Sequence, residues 1–270
     1  MEVIEFLSYE FIQRALIAGS FIALACSLLG VQLVLRRLSL IGDGLSHVTF
    51  GGVALGLVFG VYPIYIAIPF VIICSLGILQ LIDRAKIYGD AAIGIVSSIG
   101  IAIGILLASL AGGFNIDLFS FLFGNILAIS KTEVIISIAL SAVVLGAILI
   151  YYYEIFSITF DEEFAKASGI NTKRINSIIV VLTAVTVVLT MKVVGIMLTS
   201  ALLILPAVSA FQIAKGFKNS LLISSVIAIL SVISGIFLSF VLNLPTGACI
   251  VVINFLCLCM IFLFKKTSQK

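Results

Sequence analysis

The sequence predicts an all-α polytopic membrane protein with about nine transmembrane helices (roughly 8–10). Composition is the first reason: 63% of the 270 residues are hydrophobic and 10% are charged, whereas about a quarter of the residues in soluble domains are charged. The second reason is that apolar stretches near the ~20 residues needed to cross a bilayer recur along the whole chain. One globular core in a chain of this length cannot bury so much apolar surface, so lipid is the solvent that the sequence indicates.

The spans follow one another without a linker or a low-complexity tract, so we expect residues 1–270 to form a single transmembrane domain. The start, Met1–Glu10, is acidic, and the apolar run after it is too long for a signal-peptide core, which predicts a permanent first span. Continuous apolar runs favour helices over barrel strands. The predicted spans are Ala15–Leu35, Gly44–Tyr62, Pro63–Ile82, Ala91–Gly112, Thr132–Tyr153, Ile175–Val194, Gly195–Ala214, Ser220–Leu242 and Thr246–Phe264.

Charge placement predicts the topology. Most of the 15 basic residues fall in clusters that lie two spans apart: Arg36/Arg37, Arg84/Lys86, Lys166/Lys173/Arg174, Lys215/Lys218 and Lys265/Lys266/Lys270. The positive-inside rule makes this side cytoplasmic. The N-terminus is then outside, the C-terminus is inside, and the number of crossings is odd. Lys192 lies near the outer end of a span, where snorkelling to the headgroups explains it.

The stretch Phe114–Ser130 is apolar but is interrupted by Asn115, Asp117, Gly124 and Asn125. A further crossing here would break the odd number of spans. We therefore predict a re-entrant or surface segment on the outer side, which is tolerable only where protein buries its backbone.

Motifs of soluble enzymes are missing from the sequence. It has no GxxxxGK[ST] phosphate loop, HExxH, CxxC or G-x-S-x-G, and a single histidine argues against most acid–base schemes. The five cysteines lie in apolar runs, which is typical of buried thiols. No basic patch with interleaved aromatics suggests nucleic acid. The chain is therefore expected not to be an enzyme itself.

One pair of ionisable residues stands out. Asp43 and His47 are four residues apart, so on a helix they share one face. A carboxylate and an imidazole are half of a first-row metal site. Alternatively, Asp43 caps the second span and His47 packs among apolar neighbours. Because ionisable residues inside membranes are rare and usually functional, we favour a metal pathway. A two-fold dimer would bring two copies of the pair together, which predicts a homodimer with the pathway at its interface.

A second candidate lies in the longest polar stretch, on the predicted cytoplasmic side. Asp161, Glu162 and Glu163 suit the first turn of a short amphipathic helix that includes Ala165. Gly169 then supplies a C-terminal stop. This segment is either a solvated loop or a docking helix for a cytoplasmic partner.

Several motifs together resemble one family. They are Leu35–Ser39 leading into Gly42–His47, then Leu122–Ala128, Val194–Gly195 through Leu203–Ala207, and Leu244–Gly247. Over nearly its whole length the chain resembles the membrane permease subunit of bacterial zinc and manganese ABC importers. The resemblance implies a multi-pass, homodimeric permease in the bacterial cell membrane, with a separate cytoplasmic ATP-binding subunit and an extracytoplasmic metal-binding protein.

The resemblance also implies roles for the candidate residues. Asp43 and His47 match the acid and histidine of the transport pathway, and Asp161–Gly169 is similar to the coupling helix that fits the ATPase. No cofactor is expected to be bound permanently, since the divalent metal is the substrate. Ser46 before His47 is similar to manganese members, whereas Gly51–Leu55 and Met191–Gly195 are closer to zinc members. On balance this favours zinc, with manganese next.

Two rival functions follow from the same residues. A self-sufficient secondary carrier would use Asp43 and His47 as a proton or metal relay. An ABC permease for an organic ligand such as a siderophore would need a more polar pathway. The near absence of other intramembrane polar groups argues against that substrate.

Overall fold

The computed structural model describes residues 9–110, 122, 124–125, 129–191 and 193–268. The described helices, in chain order, are α1 Glu10–Leu35, α2 Leu40–Val58, α3 Pro63–Ala85, α4 Gly89–Leu110, α5 Lys131–Ile150, α6 Tyr152–Phe160, α7 Glu162–Ala167, α8 Thr172–Thr190, α9 Thr199–Ile213, α10 Phe217–Leu242 and α11 Thr246–Ser268. Most of Phe114–Ser130, and Lys192, lie outside the described residues. The re-entrant segment and the snorkelling lysine therefore stay predictions.

Within the described part of the chain, eight helices are long and apolar enough to cross a membrane, and α9 is a shorter apolar helix. No strand occurs among the described residues. The predicted all-α polytopic class is confirmed. The helices correspond one for one to the predicted spans, with the short α6 and α7 lying between α5 and α8.

The seventh predicted span differs from the structure at its start. The chain is not α-helical from Gly195, because Gly195 has φ +92° and a 3₁₀ turn, Ile196–Leu198, precedes α9. This irregular backbone is buried against other backbone: a Cβ added at Gly247 would lie 1.9 Å from the Val194 carbonyl oxygen. Protein rather than lipid surrounds this break, as non-helical backbone at membrane depth requires.

Glycine contacts hold α2 at the centre of the bundle, against α3 and α4. A Cβ added at Gly51 would lie 2.7 Å from the Gly100 carbonyl oxygen of α4, and one added at Gly52 would lie 2.8 Å from Ala67 Cα of α3. Since lipid tails are as apolar as the side chains, helices in a membrane associate through such close packing. The glycines therefore determine how near α3 and α4 come to α2.

The predicted basic clusters meet at one end of the bundle, which we name the basic end. Arg36 Nη1 donates to Asn176 Oδ1 at 2.8 Å, and Arg84 and Lys173 line one small cleft. Further contacts bring α6, α9, α10 and α11 to this end: Tyr152, Phe156 and Phe160 pack their rings around Phe217, and Lys265 Nζ donates to Gln212 Oε1 at 3.3 Å. The basic clusters, which lie two spans apart in the sequence, thus lie together at one end of the helix bundle.

The opposite end is joined by polar and aromatic contacts. Tyr62 Oη, just before α3, donates to the Glu133 carboxylate of α5 at 2.5 Å. Glu133 also forms a capping box with Ser130, in which each side chain bonds the other's backbone N–H. The Tyr9 ring lies 6.0 Å from that of Phe240. These contacts connect α1, α3, α5 and α10 away from the basic end.

Replacing Gly51 with alanine should destabilise the protein by about 1–3 kcal/mol, because the added methyl group meets backbone that cannot rotate away. Thermal unfolding of the purified protein in detergent measures the change. Gly77→Ala in α3 is the matched control, since a Cβ there meets nothing within 4 Å, and its melting temperature should be no lower than that of the wild type because alanine favours the helix. An equal fall in melting temperature in the two variants would show that the α2–α4 contact is not tight.

Candidate functional site

The first turns of α2 carry the predicted metal pair. The N-cap residue is Ser39, which makes no side-chain capping bond, and Asp43 lies inside the first turn. Asp43 therefore does not cap α2, and the capping alternative is wrong. Its charge still lies at the positive end of the helix dipole, but its side chain is free to contact other groups.

Asp43 and His47 lie side by side. The distance from His47 Nε2 to Asp43 Oδ2 is 3.5 Å. The side chain of His47 is 26% exposed and that of Asp43 is 50% exposed. All the remaining residues of α2 between Ile41 and Ala54 are buried. The helix thus presents one small polar opening on a surface that is otherwise covered by protein.

The neighbours of α2 explain this opening. A Cβ added at Gly42 would lie 2.5 Å from Leu203 Cδ1 of α9, and one added at Gly44 would lie 2.5 Å from Ile93 Cγ2 of α4. The two glycines flank Asp43 in the sequence, so α9 covers one side of it and α4 covers the other. Because His47 follows one turn later on the same face, it shares the remaining gap.

Ser46 is placed differently from its two neighbours in the prediction. It is 2% exposed, and its hydroxyl donates to the Gly42 carbonyl oxygen at 2.8 Å. Back-bonding of this kind satisfies a buried hydroxyl within its own helix. The structure therefore brings Asp43 and His47 together and leaves Ser46 behind them, so a role for Ser46 in the pathway stays a prediction.

The pair has the geometry of two ligands to one ion. Two atoms that each lie about 2.1 Å from a shared tetrahedral ion are about 3.4 Å apart, close to the 3.5 Å between Nε2 and Oδ2. A carboxylate oxygen and an imidazole nitrogen suit divalent first-row metals. Among the described residues no group of three or more His, Cys, Asp or Glu could hold a metal ion. One described chain therefore offers half of a site.

The predicted cytoplasmic helix is α7. Asp161 is its N-cap and accepts a hydrogen bond from Phe164 N at 2.9 Å. Lys166 in the last turn pairs with Glu162 at 3.4 Å and with Glu163 at 3.1 Å. Gly169 has φ +85°, the left-handed conformation that commonly ends a helix. Local capping thus determines both ends of this short element.

The exposed face of α7 does not include Ala165, the apolar residue named in the predicted helix. Ala165 is 0% exposed and packs against its own chain, whereas Phe164 is 65% exposed. An exposed aromatic ring on a short, capped helix is a surface that another protein can cover. A partner would therefore meet Phe164, with Glu163 beside it, rather than Ala165.

In the sequence, Arg36 is a charge that reports topology and a member of the Leu35–Ser39 motif, with no role of its own assigned. In the structure its side chain is 11% exposed and its Nη2 lies 3.5 Å from Glu162 Oε2 of α7. Burial lowers the pKa of Arg36, and the Glu162 carboxylate opposes that shift. No local signal distinguishes Arg36 from the exposed Arg37 beside it, because its partners come from distant parts of the chain.

Comparison with known proteins shows relatives over nearly the whole length of the chain. The model of the ABC 3 transport family matches residues 8–265. The chain is 32% identical to the manganese transport system membrane protein MntC of Listeria monocytogenes, over 96% of this chain and 92% of that protein. It is 35% identical to the manganese import system permease protein ScaB of Streptococcus gordonii, over 90% and 87% of the two chains.

A solved structure, PsaBC from Streptococcus pneumoniae in complex with Fab, contains a chain with the same fold. The TM-score is 0.86 at 32% sequence identity, and the match covers 97% of this chain and 95% of that one. The family match, residues 8–265, includes the described helices from α1 into α11. The protein therefore belongs to the ABC 3 transport family, as a multi-pass membrane permease.

Proposed function

We propose that this chain is the permease subunit of an ABC importer that carries a divalent metal ion, manganese first, into the cytoplasm. The observation that carries the proposal is the Asp43–His47 pair, the one opening on an otherwise buried stretch of α2. The relatives named for manganese transport support this metal, and so does Ser46 before His47. They give no support to the preference for zinc that the sequence suggested.

Two copies of the chain would complete the site. Each described chain offers one carboxylate and one imidazole, and a two-fold axis beside α2 would bring four protein ligands around one ion. The Asp43 carboxylates would balance the charge of the cation. A site with few ligands and partial exposure can also release what it binds, which transport requires.

The basic end lies in the cytoplasm in this proposal, by the positive-inside rule, so the N-terminus is outside and the C-terminus is inside. α7 lies at the basic end, where Glu162 contacts Arg36, and it would dock on the separate ATP-binding subunit. An extracytoplasmic metal-binding protein would deliver the ion to the opposite end. Membership of an ABC transport family favours this arrangement over a self-sufficient secondary carrier.

The first prediction of this proposal concerns the substrate and the energy source. The chain has no phosphate loop, so the purified permease should hydrolyse no ATP. Together with its ATP-binding subunit and binding protein in proteoliposomes, it should import Mn²⁺ in preference to Zn²⁺ and Fe²⁺. Parallel uptake assays with each metal, with and without ATP, measure this. Hydrolysis by the clean permease, or ATP-independent uptake, would contradict the proposal.

The second prediction concerns Asp43 and His47. Asp43→Asn keeps the size but removes the charge, and His47→Ala removes the imidazole. Each should lower metal uptake by about tenfold or more, since even outer-shell changes at metal sites cost that much. Stability should change little for Asp43→Asn, about 0.5 kcal/mol or less, because Asp43 is half exposed and does not cap α2.

Asp90→Asn is the control for that experiment. Asp90 is an exposed carboxylate in the first turn of α4, so the variant loses the same charge at an equivalent helix position and should transport normally. Normal uptake by Asp43→Asn would remove the pair from the pathway. Equal losses in Asp43→Asn and Asp90→Asn would indicate a general effect of charge.

The third prediction concerns α7. Phe164→Glu should weaken binding of the ATP-binding subunit about 30-fold, the equivalent of a 2 kcal/mol hot spot, without lowering the melting temperature of the permease. Ala165→Glu should instead destabilise the permease itself, because it buries an unpaired carboxylate. Pull-down affinity and thermal unfolding separate the two effects. Undiminished binding by Phe164→Glu would show that α7 is not the docking helix.

A further inference from the structure

The α6–α7 segment is attached to the C-terminal turn of α1 by two polar contacts. Arg36 Nη2 lies 3.5 Å from Glu162 Oε2 at the start of α7. One turn earlier, Thr159 Oγ1 of α6, which also donates to the Ile155 carbonyl oxygen at 2.7 Å, lies 3.2 Å from Gln32 Oε1 of α1. Gln32 is 0% exposed. A segment held at both places must move with the end of α1 unless these contacts break.

Arg36 also reaches a third element. Its Nη1 donates to Asn176 Oδ1 of α8 at 2.8 Å, so one guanidinium connects α1, α7 and α8. The planar fork of arginine can bond two partners in different directions, which a lysine ammonium does with less geometric control. The side chain is 11% exposed, so removing either partner leaves a largely buried cation less well compensated.

The chain that leads from Arg36 to the metal pair is short and stiff. Leu38 N donates to Leu33 O at 2.8 Å and Arg37 N to Val34 O at 3.1 Å, while Arg37 is left-handed with φ +58°. This is the Schellman arrangement, which satisfies the last carbonyls of a helix and reverses its direction. α2 begins at Leu40, directly after this turn.

The separation between that turn and the metal pair is small. A helix rises 1.5 Å per residue, so His47 lies about 10 Å along the axis from the start of α2, and Asp43 lies closer. No flexible loop intervenes, because the α1–α2 connection is internally hydrogen-bonded. A displacement of Arg36 would therefore move the first turns of α2, and with them Asp43 and His47, because no flexible loop lies between.

We propose that Arg36 and Glu162 form a strut that transmits movement of α7 to the metal-binding turns of α2. Arg36 is a positioning residue in this scheme and does not touch the metal. The strut rests on the proposed function, since it requires that α7 docks on an ATP-binding subunit. The strut adds to that function the contacts through which closure of the ATP-binding subunit would change the metal pathway at Asp43 and His47.

The test is the ratio of metal imported to ATP hydrolysed by the full importer in proteoliposomes. Glu162→Gln removes the charge that faces Arg36 but keeps the Arg36–Asn176 hydrogen bond, so the permease should still fold. We expect at least a threefold lower ratio, with subunit assembly and ATPase rate close to those of the wild type. Arg36→Gln should give the same phenotype.

Each variant has a matched control. Glu154→Gln removes one carboxylate charge from the first turn of α6, in the same α6–α7 segment but outside the docking helix. Arg37→Gln removes an exposed arginine one residue from Arg36. Both controls should keep the ratio of the wild type. The comparison therefore separates the effect of the Arg36–Glu162 contact from a general effect of charge and from an effect on the α1–α2 turn.

Three outcomes would overturn the strut. The first is a Glu162→Gln importer with the wild-type ratio, and the second is an equal loss of the ratio in Glu162→Gln and Glu154→Gln. The third is a Glu162→Gln importer whose ATPase rate and uptake fall in proportion, which would mean that the contact only supports docking. If Arg36→Gln fails to assemble, Glu162→Gln decides the question alone. A wild-type complex that imports no metal would refute the proposed function, whereas an active wild type with an unaffected Glu162→Gln refutes only the strut.

Discussion

Close approach of helix backbones through glycine is the constraint on which the rest of this structure depends. In lipid, apolar burial gives little preference for one helix neighbour over another. Gly51 faces the Gly100 carbonyl of α4, and Gly56 faces Pro63 at the start of α3, each at distances that leave no room for a Cβ. α2 is therefore surrounded by protein, and it becomes a place where a polar group can sit away from lipid.

The metal pair makes use of that position. A carboxylate and an imidazole would be costly on a lipid-facing helix. Asp43 and His47 instead lie in the opening between α9, which packs on Gly42, and α4, which packs on Gly44. Among the described residues, no third His, Cys, Asp or Glu side chain joins the pair in a metal-binding group. An incomplete site suits an ion that must be released, and it explains why a second copy of the chain is needed in the proposed mechanism.

The basic end joins this site to the segment proposed to meet the ATP-binding subunit. α7 is too short to be stable by itself, since isolated helices of so few residues are marginal in water. It is held by the Asp161 cap, by burial of Ala165 and by the contact between Glu162 and Arg36. These contacts give a surface helix a fixed relation to α1, which an energy-coupling element requires and a mobile loop could not provide.

The sequence by itself determined the features that depend on local pattern and on lipid as solvent. They are the number and order of the apolar helices, the alternation of basic residues, the short capped helix and the shared face of Asp43 and His47. The tertiary structure alone decided the contacts between residues far apart in the chain. It put Ala165 inside and Phe164 outside, turned the Ser46 hydroxyl back onto Gly42, broke the seventh span at Gly195 and paired Arg36 with Glu162. Periodicity tells which residues share a helix face, but only packing tells what that face meets.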